Sequence, residues 1–283
     1  FRNKFGFDIL KNIDQLMSLR TQFVHLYVND LTDGYDDGFE DYGLYTQVEQ
    51  LNKKALRAHG LDRYGQLYKV NFFEFYRYED AIKLETDPGY DVDEFQQYLE
   101  IKVDSDHSKL IDMLEDVNNY SLPIEDVLDK HFDRENLTYW LAFNILTGNV
   151  DTQSRNCYIY SPKNENLWYF ISWDLDGAFR TYENEILNIS DYGSWESGVS
   201  NYWGNVLFKR CLKSESFRNE LNDAIVDLKE NTLSTEKLAG MVSDYRTVVE
   251  EYLWNAPDIT YEQLTPEEYD EVALNLPKQI EEN

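Results

Sequence analysis

Cys157–Ser161 and Leu167–Ser172 are short aromatic and β-branched runs, and the Pro162–Asn166 segment between them has the composition of a turn. Such residues suit a pleated, half-buried surface, so the pattern reads as a β-hairpin. A hairpin constrains its flanks, because the residue before the first strand and the residue after the second arrive at the same end. Asn156 and Asp174 hold those places, and the turnback should bring a carboxamide and a carboxylate together.

The segment leading into the hairpin is patterned as a helix. Asp133 stands as its N-cap, Leu137, Trp140, Leu141, Asn144 and Ile145 line one side, and Gly148 supplies the stop. A packed helix ending there makes a rigid platform for Asp151. Asp151 and Asn156 stand in D-x-x-x-x-N spacing, which in phosphoryl-transfer loops pairs a base with a metal-binding amide. Asp174 adds the second metal-binding group, with Asp176 as a rival or further ligand in the same short loop. A hard cation wants oxygen donors, and Mg²⁺ keeps waters and takes its remaining ligands from phosphate. The competing reading is structural, since Asp and Asn after a helix serve as caps and a DLDG run is commonly a turn.

The runs GNVDTQSRNCYIY and WYFISWDLDGAF resemble the signature of the CotH kinase family, atypical protein kinases named after a spore coat protein. VHLYVND and YGLYTQVEQ resemble that family's hairpin and following Glu, LYK at Leu67–Lys69 its next strand, and NVLFKRCLKSESFRNEL its first C-terminal helices. The resemblance implies an α+β, kinase-like two-lobed fold, with a sheet-containing part over 1–120 and a mostly helical part over 121–283 in a single domain overall. It implies Asp151 as the catalytic acid, Asp174 and Asn156 as ligands of Mg²⁺ or Mn²⁺, ATP as co-substrate, and Ser or Thr hydroxyls of a protein as acceptors. A non-catalytic surface adhesion or scaffold module with the same fold is the alternative.

Charge bounds the partners. The chain of 283 residues has a formal net charge of −28, which argues against nucleic acid or an anionic membrane. ATP would be repelled too, so the site needs a cation and placed basic groups. Lys69, Arg155 and Arg180 are the nearest candidates, and Glu49 is a candidate partner of Lys69, although it precedes the lysine where ordinary kinases place it after. Cys157 and Cys211 are too few for a disulfide framework, and Cys157 reads as a core residue. His25, His59, His107 and His131 show no metal-ligand spacing. No run approaches the roughly 18 apolar residues of a membrane span. Acidity with few cysteines fits a secreted or cell-surface bacterial protein, or a spore coat, which is favoured over a cytoplasmic one.

Elsewhere the pattern predicts an amphipathic helix over Phe1–Leu19, a hairpin from Phe23–Val28 and Tyr42–Val48, a helix between Glu49 and Leu61, and a strand over Gln66–Tyr76. The insert Asn29–Asp41 carries six acids with Gly34 and Gly38. It reads as a solvated loop, with a lid role or Ca²⁺ binding as rivals, although it lacks an EF-hand register. Short helices are expected at Asp91–Leu99 and Ser108–Val117, and another opening at Ser121. After Phe179 comes a connecting or substrate-docking stretch, then helices at Val206–Leu212, Phe217–Leu228 and Thr235–Trp254, and an acidic tail after Pro266.

Overall fold

The structure, a computed structural model, describes residues 2–32, 34–179 and 200–283. It is a mixed fold of helices and antiparallel sheet, the α+β class. The elements in order are α1 (Arg2–Leu10), β1 (Thr21–Val28), β2 (Glu40–Val48), α2 (Lys53–Ala58), β3 (Gln66–Val70), α3 (Val92–Gln96), β4 (Leu99–Ile101), α4 (Ser108–Asn118), α5 (Ile124–His131), α6 (Arg134–Leu146), β5 (Cys157–Ser161) and β6 (Tyr169–Ser172). Helices α7 (Val206–Lys213), α8 (Glu215–Asp227), α9 (Thr235–Leu253) and α10 (Pro266–Glu282) complete it.

β1 and β2 form a separate two-stranded ribbon, while the main sheet has the order β4-β3-β5-β6. β5 and β6 pair as the expected hairpin, with Cys157 opposite Ser172 and Tyr160 opposite Tyr169. The Lys109 ammonium locks its turn by donating to Ser161 Oγ (2.8 Å), the Pro162 carbonyl (2.6 Å) and the Glu165 carbonyl (2.8 Å). β6 would be an open edge, a liability for any sheet. Asn136 covers it from α6, its Oδ1 accepting from the Phe170 amide (2.7 Å) and its Nδ2 donating to the Phe170 carbonyl (3.3 Å). The α5–α6 junction finishes the edge, with Trp168 N–H donating to the His131 carbonyl and Asp133 N–H to that of Trp168.

α6 is capped as expected, Asp133 accepting from the Asn136 amide at 2.9 Å. Its burial extends around most of its circumference, from Leu137, Trp140 and Leu141 to Ala142 and Phe143, because it lies between β6 and α8. Trp140 meets Phe170 of β6 and Phe208 of α7, with ring centroids 4.8 and 5.6 Å away. Cys157 is in this core, and burial pushes its thiol pKa up.

Several boundaries differ from the sequence expectation for local reasons. The strand expected over Gln66–Tyr76 stops at Val70, and Phe72, Phe75 and Tyr78 then adopt left-handed backbone with φ of 51, 60 and 40°. The apolar residues there serve a loop, pinned where Phe73 N–H donates to the Ser154 carbonyl (2.8 Å) and Val206 N–H to that of Glu74 (2.9 Å). α1 ends at Leu10, and Ile13, Leu16 and Leu19 are buried from irregular backbone. α2 covers only Lys53–Ala58, capped by Asn52. α5 opens at Ile124, one residue after Pro123, with no side-chain cap from Ser121. The stretch after Pro266, expected as a tail, is α10; a reciprocal capping box between Thr265 and Glu268 starts it, and Ala273, Leu276 and Ile280 are buried.

Candidate active site

Asp151 lies in a 3₁₀ turn, Val150–Thr152, directly after α6 and Gly148, whose φ of 59° is the left-handed exit expected of a helix stop. The segment after β6 folds back onto this turn. Its start is tied by Trp173 N–H to the Asn156 carbonyl (3.2 Å), which extends the hairpin ladder by one pair and leaves Asp174 just beyond it. Its end is tied by Phe179 N–H to the Thr147 carbonyl (2.8 Å), at the C-terminus of α6. Between them Leu175–Gly177 form another 3₁₀ turn that brings Gly177 against Asp151. A methyl on Gly177 would stand 2.9 Å from Asp151 Oδ2 and 3.6 Å from Asn149 Oδ1, so any side chain here would press on the Asp151 carboxylate. The loop after Asp174 therefore lies against the Asp151 turn through Gly177.

Asn156 and Asp174 both have left-handed backbone, with φ of 57 and 54°. Asn and Asp tolerate this region better than other side chains do. Asp174 is partly buried, and its pKa is raised, first by burial and then by the neighbouring Asp176 charge; an Asn3 hydrogen bond and the Lys69 ammonium act in the opposite direction. Asp176 is exposed and within hydrogen-bonding reach of Asp174. Two like-charged carboxylates converging in a half-buried loop are disfavoured unless a cation joins them. Their carboxylate oxygens are of the kind a hard divalent ion takes alongside water and phosphate. Among the described residues no cluster of three or more His, Cys, Asp or Glu forms a dedicated metal cage.

The basic candidates divide. Lys69 in β3 lies opposite Tyr158 of β5, and its ammonium sits 5.6 Å from the centre of the Trp173 ring, the residue before Asp174. Arg155 donates to Asp151 Oδ1 at 2.8 Å and stacks its guanidinium over Phe72, 5.5 Å from the ring centre. Arg180 lies outside the described residues. The expected pairing of Glu49 with Lys69 does not form. Glu49 instead accepts from Arg20 and from His59 Nε2 (2.7 Å), at the end of β2. Burial raises its pKa, but those hydrogen bonds outweigh burial and hold it at about 2. The cause is topological: β3 pairs with β4 and β5, whereas the ribbon carrying Glu49 is not hydrogen-bonded to that sheet.

Three residues of the site escaped sequence reasoning. Asn3 of α1 accepts from the Leu175 amide at 2.6 Å and so supports the Asp174 loop from the far end of the chain. Gly6, one turn on, lets α1 lie against Leu175; a Cβ there would fall 2.7 Å from Leu175 Cδ1. Asn149 is 1 % exposed beside Asp151. The signals in the sequence were a glycine inside a helix and an asparagine adjoining the D-x-x-x-x-N pattern.

Comparison with curated proteins finds no match. The model of the family described as CotH kinase protein matches residues 1–283, the full length of this sequence, and the chain belongs to that family.

Proposed function

We propose that this chain is a phosphotransferase that uses ATP with Mg²⁺ or Mn²⁺ and phosphorylates Ser or Thr hydroxyls of a protein. The observation that carries the reading is the folding of the Asp174–Gly177 loop onto Asp151, with Lys69 on the adjoining strand. Asp151 would accept or orient the acceptor's hydroxyl proton. Asp174 and Asn156 would hold the ion, with Asp176 as a further ligand; when bound with nucleotide, it neutralises phosphate charge. Lys69 would meet a phosphate oxygen, and Arg155 would keep the Asp151 carboxylate aligned. Phosphoryl transfer is governed by positioning and electrostatics more than by covalent chemistry with the protein, which suits a site tied down at both ends of each loop.

Family membership is the support for a protein acceptor, and the residues present would serve a small-molecule acceptor equally. A non-catalytic adhesion or scaffold role is the second reading, favoured by one observation: Glu49, which would partner the nucleotide lysine, is taken by Arg20 and His59.

Incorporation of labelled γ-phosphate by wild type, Asp151→Ala and Asp174→Ala separates them. Loss of the base should lower transfer by about 10² to 10⁴. In parallel, ATP with Mg²⁺ at 100 times its Kd should add about 2.7 kcal/mol of stability to wild type and Asp151→Ala, and far less to Asp174→Ala. Equal labelling by all three proteins would end the kinase reading, and the absence of any ligand-induced shift would favour the scaffold.

A further inference from the structure

Three residues other than glycine between β3 and α3 have left-handed backbone, and two of them have an evident reason. Phe75 is buried, its ring centre 5.0 Å from that of Phe73 and 5.8 Å from that of Phe170, and Tyr78 stacks on Tyr98 at 4.3 Å. Apolar contact offsets the cost of their conformation. Phe72 lacks that compensation. Its φ of 51° is an outlier for a bulky side chain, yet the residue is 58 % exposed.

Backbone hydrogen bonds fix Phe72 from both sides. Asn71 N–H donates to the Tyr98 carbonyl (2.8 Å), and Phe73 N–H to the Ser154 carbonyl (2.8 Å). Ser154 immediately precedes Arg155, so the bond that pins Phe73 also brings the Phe72 ring to Arg155, whose guanidinium carbon lies 5.5 Å from the ring centre. The same guanidinium donates to Asp151 Oδ1 at 2.8 Å. The Arg155 side chain is 43 % exposed, so water competes for it, and a cation resting on an aromatic face samples fewer orientations than one surrounded by solvent.

We propose that Phe72 is a positioning residue of the phosphotransfer site, its ring holding the Arg155 guanidinium in the orientation that aligns Asp151. The proposal rests on the phosphotransferase reading above. Strained backbone persists where the surrounding structure imposes it, and here the contact it creates is an aromatic face against the cation that pairs with the base. Without the ring, the Arg155 side chain would swing and take the ion pair with it. A small error in the placement of a base costs rate without weakening nucleotide binding. The effect reaches Asp151 through Arg155, which separates it from a direct contact between the ring and an acceptor.

Glycine at this position separates function from stability, because it adopts a φ of 51° without strain. Phe72→Gly in the full chain should hold or raise the Tm while lowering kcat about 3- to 30-fold, the range spanned by one cation–aromatic contact. Its KM for ATP should stay within about twofold of wild type, as for an interaction that matters only to the chemical step. Phe72→Tyr, which keeps the aromatic face, should retain kcat within about twofold. In an Arg155→Ala background Phe72→Gly should cost nothing further, since the ring acts through that cation. Crystal structures give a readout independent of activity: the bond between Arg155 and Asp151 should be present in wild type and lost in Phe72→Gly. Its persistence in the variant, an undiminished kcat, a kcat loss that merely tracks a fall in Tm, or an equal loss with and without Arg155 would each overturn the proposal and leave the kinase reading standing. A wild type that transfers no phosphate would overturn both.

Discussion

His107 shows how much of a residue's behaviour is set by its surroundings. Its ring is fully buried, with Nδ1 2.8 Å from the Tyr68 hydroxyl, Nε2 3.3 Å from that of Tyr90, and Phe95 stacked 4.0 Å away. Burial lowers its pKa from 6.5 to about 4, against the opposite pull of Glu85, Asp106 and Asp104. The unfolded chain takes up this proton near its ordinary value while the folded chain resists it. The stabilisation is therefore complete above pH 6.5 and is lost as the pH falls toward 4. A difference of this size corresponds to about 3 kcal/mol. Urea unfolding at pH 7, 5.5 and 4 should show wild type losing stability across that window. His107→Gln, which keeps a hydrogen-bonding side chain but does not titrate, should lose distinctly less; equal losses would show that the imidazole is not responsible. None of this is visible in the sequence, where His107 is one of four histidines without metal spacing. The meeting of Asn156 with the segment entering Asp174 was legible because one short hairpin fixes it. Asn149, Asn3 and the partners of Glu49 depend on contacts between distant segments, which spacing does not encode.

At the scale of elements, the Asp174 loop is supported by α1 as well as by its own hairpin. Asn3 caps the Leu175 amide, and the Phe5 ring meets Phe179 with centroids 4.9 Å apart. Gly6 is the contact with least tolerance, since even a Cβ would approach Leu175 Cδ1 to 2.7 Å and Leu175 Cβ to 3.0 Å. Gly6→Val should destabilise by about 1–3 kcal/mol through overpacking. Phosphotransfer measured well below the melting temperature should fall further than that loss explains, because Leu175 adjoins Asp174. Gly240→Ala in α9 is the control: nothing lies within 4 Å of its Cβ position, so it should stabilise by up to about 1 kcal/mol with activity unchanged. A Gly6→Val protein with normal turnover would show that α1 does not position the Asp174 loop. The hairpin, α6 and the helices after Asn205 were readable because each carries its own periodicity and caps. The end of β3 at Val70 was not, since the apolar run continues and only tertiary anchors at Ser154 and Val206 turn it into a loop. The helix after Pro266 was hidden by its acidity, although the Thr265–Glu268 capping box was present in the sequence.

For the whole molecule, the main sheet decides how separable the two halves of the chain are. β3 and β4 precede residue 120 and β5 and β6 follow it, yet β3 pairs with β5 along Gln66–Lys69 in the middle of one sheet. α1, from the first half, packs on the Asp174 loop of the second. Leu67, Tyr68, Phe5 and Phe75 belong to the same buried cluster as Trp140, Ile159, Trp168 and Phe170. Division at residue 120 would expose many of these side chains, each worth about 1.5–3 kcal/mol when fully buried. A handful would exceed the net stability of about 5–15 kcal/mol typical of a domain. Residues 1–120 and 121–283 produced separately should therefore each lack a cooperative unfolding transition, whereas the intact chain should melt in a single one. The net charge of −28 adds a second signature: self-repulsion opposes compaction, so moderate salt should raise the melting temperature of the intact chain. Salt should not rescue the halves, because what they lack is apolar contact and the pairing of β3 with β5. A cooperative transition in either half alone would show that the sheet is not the common core of both and would make two independently folding lobes the better description.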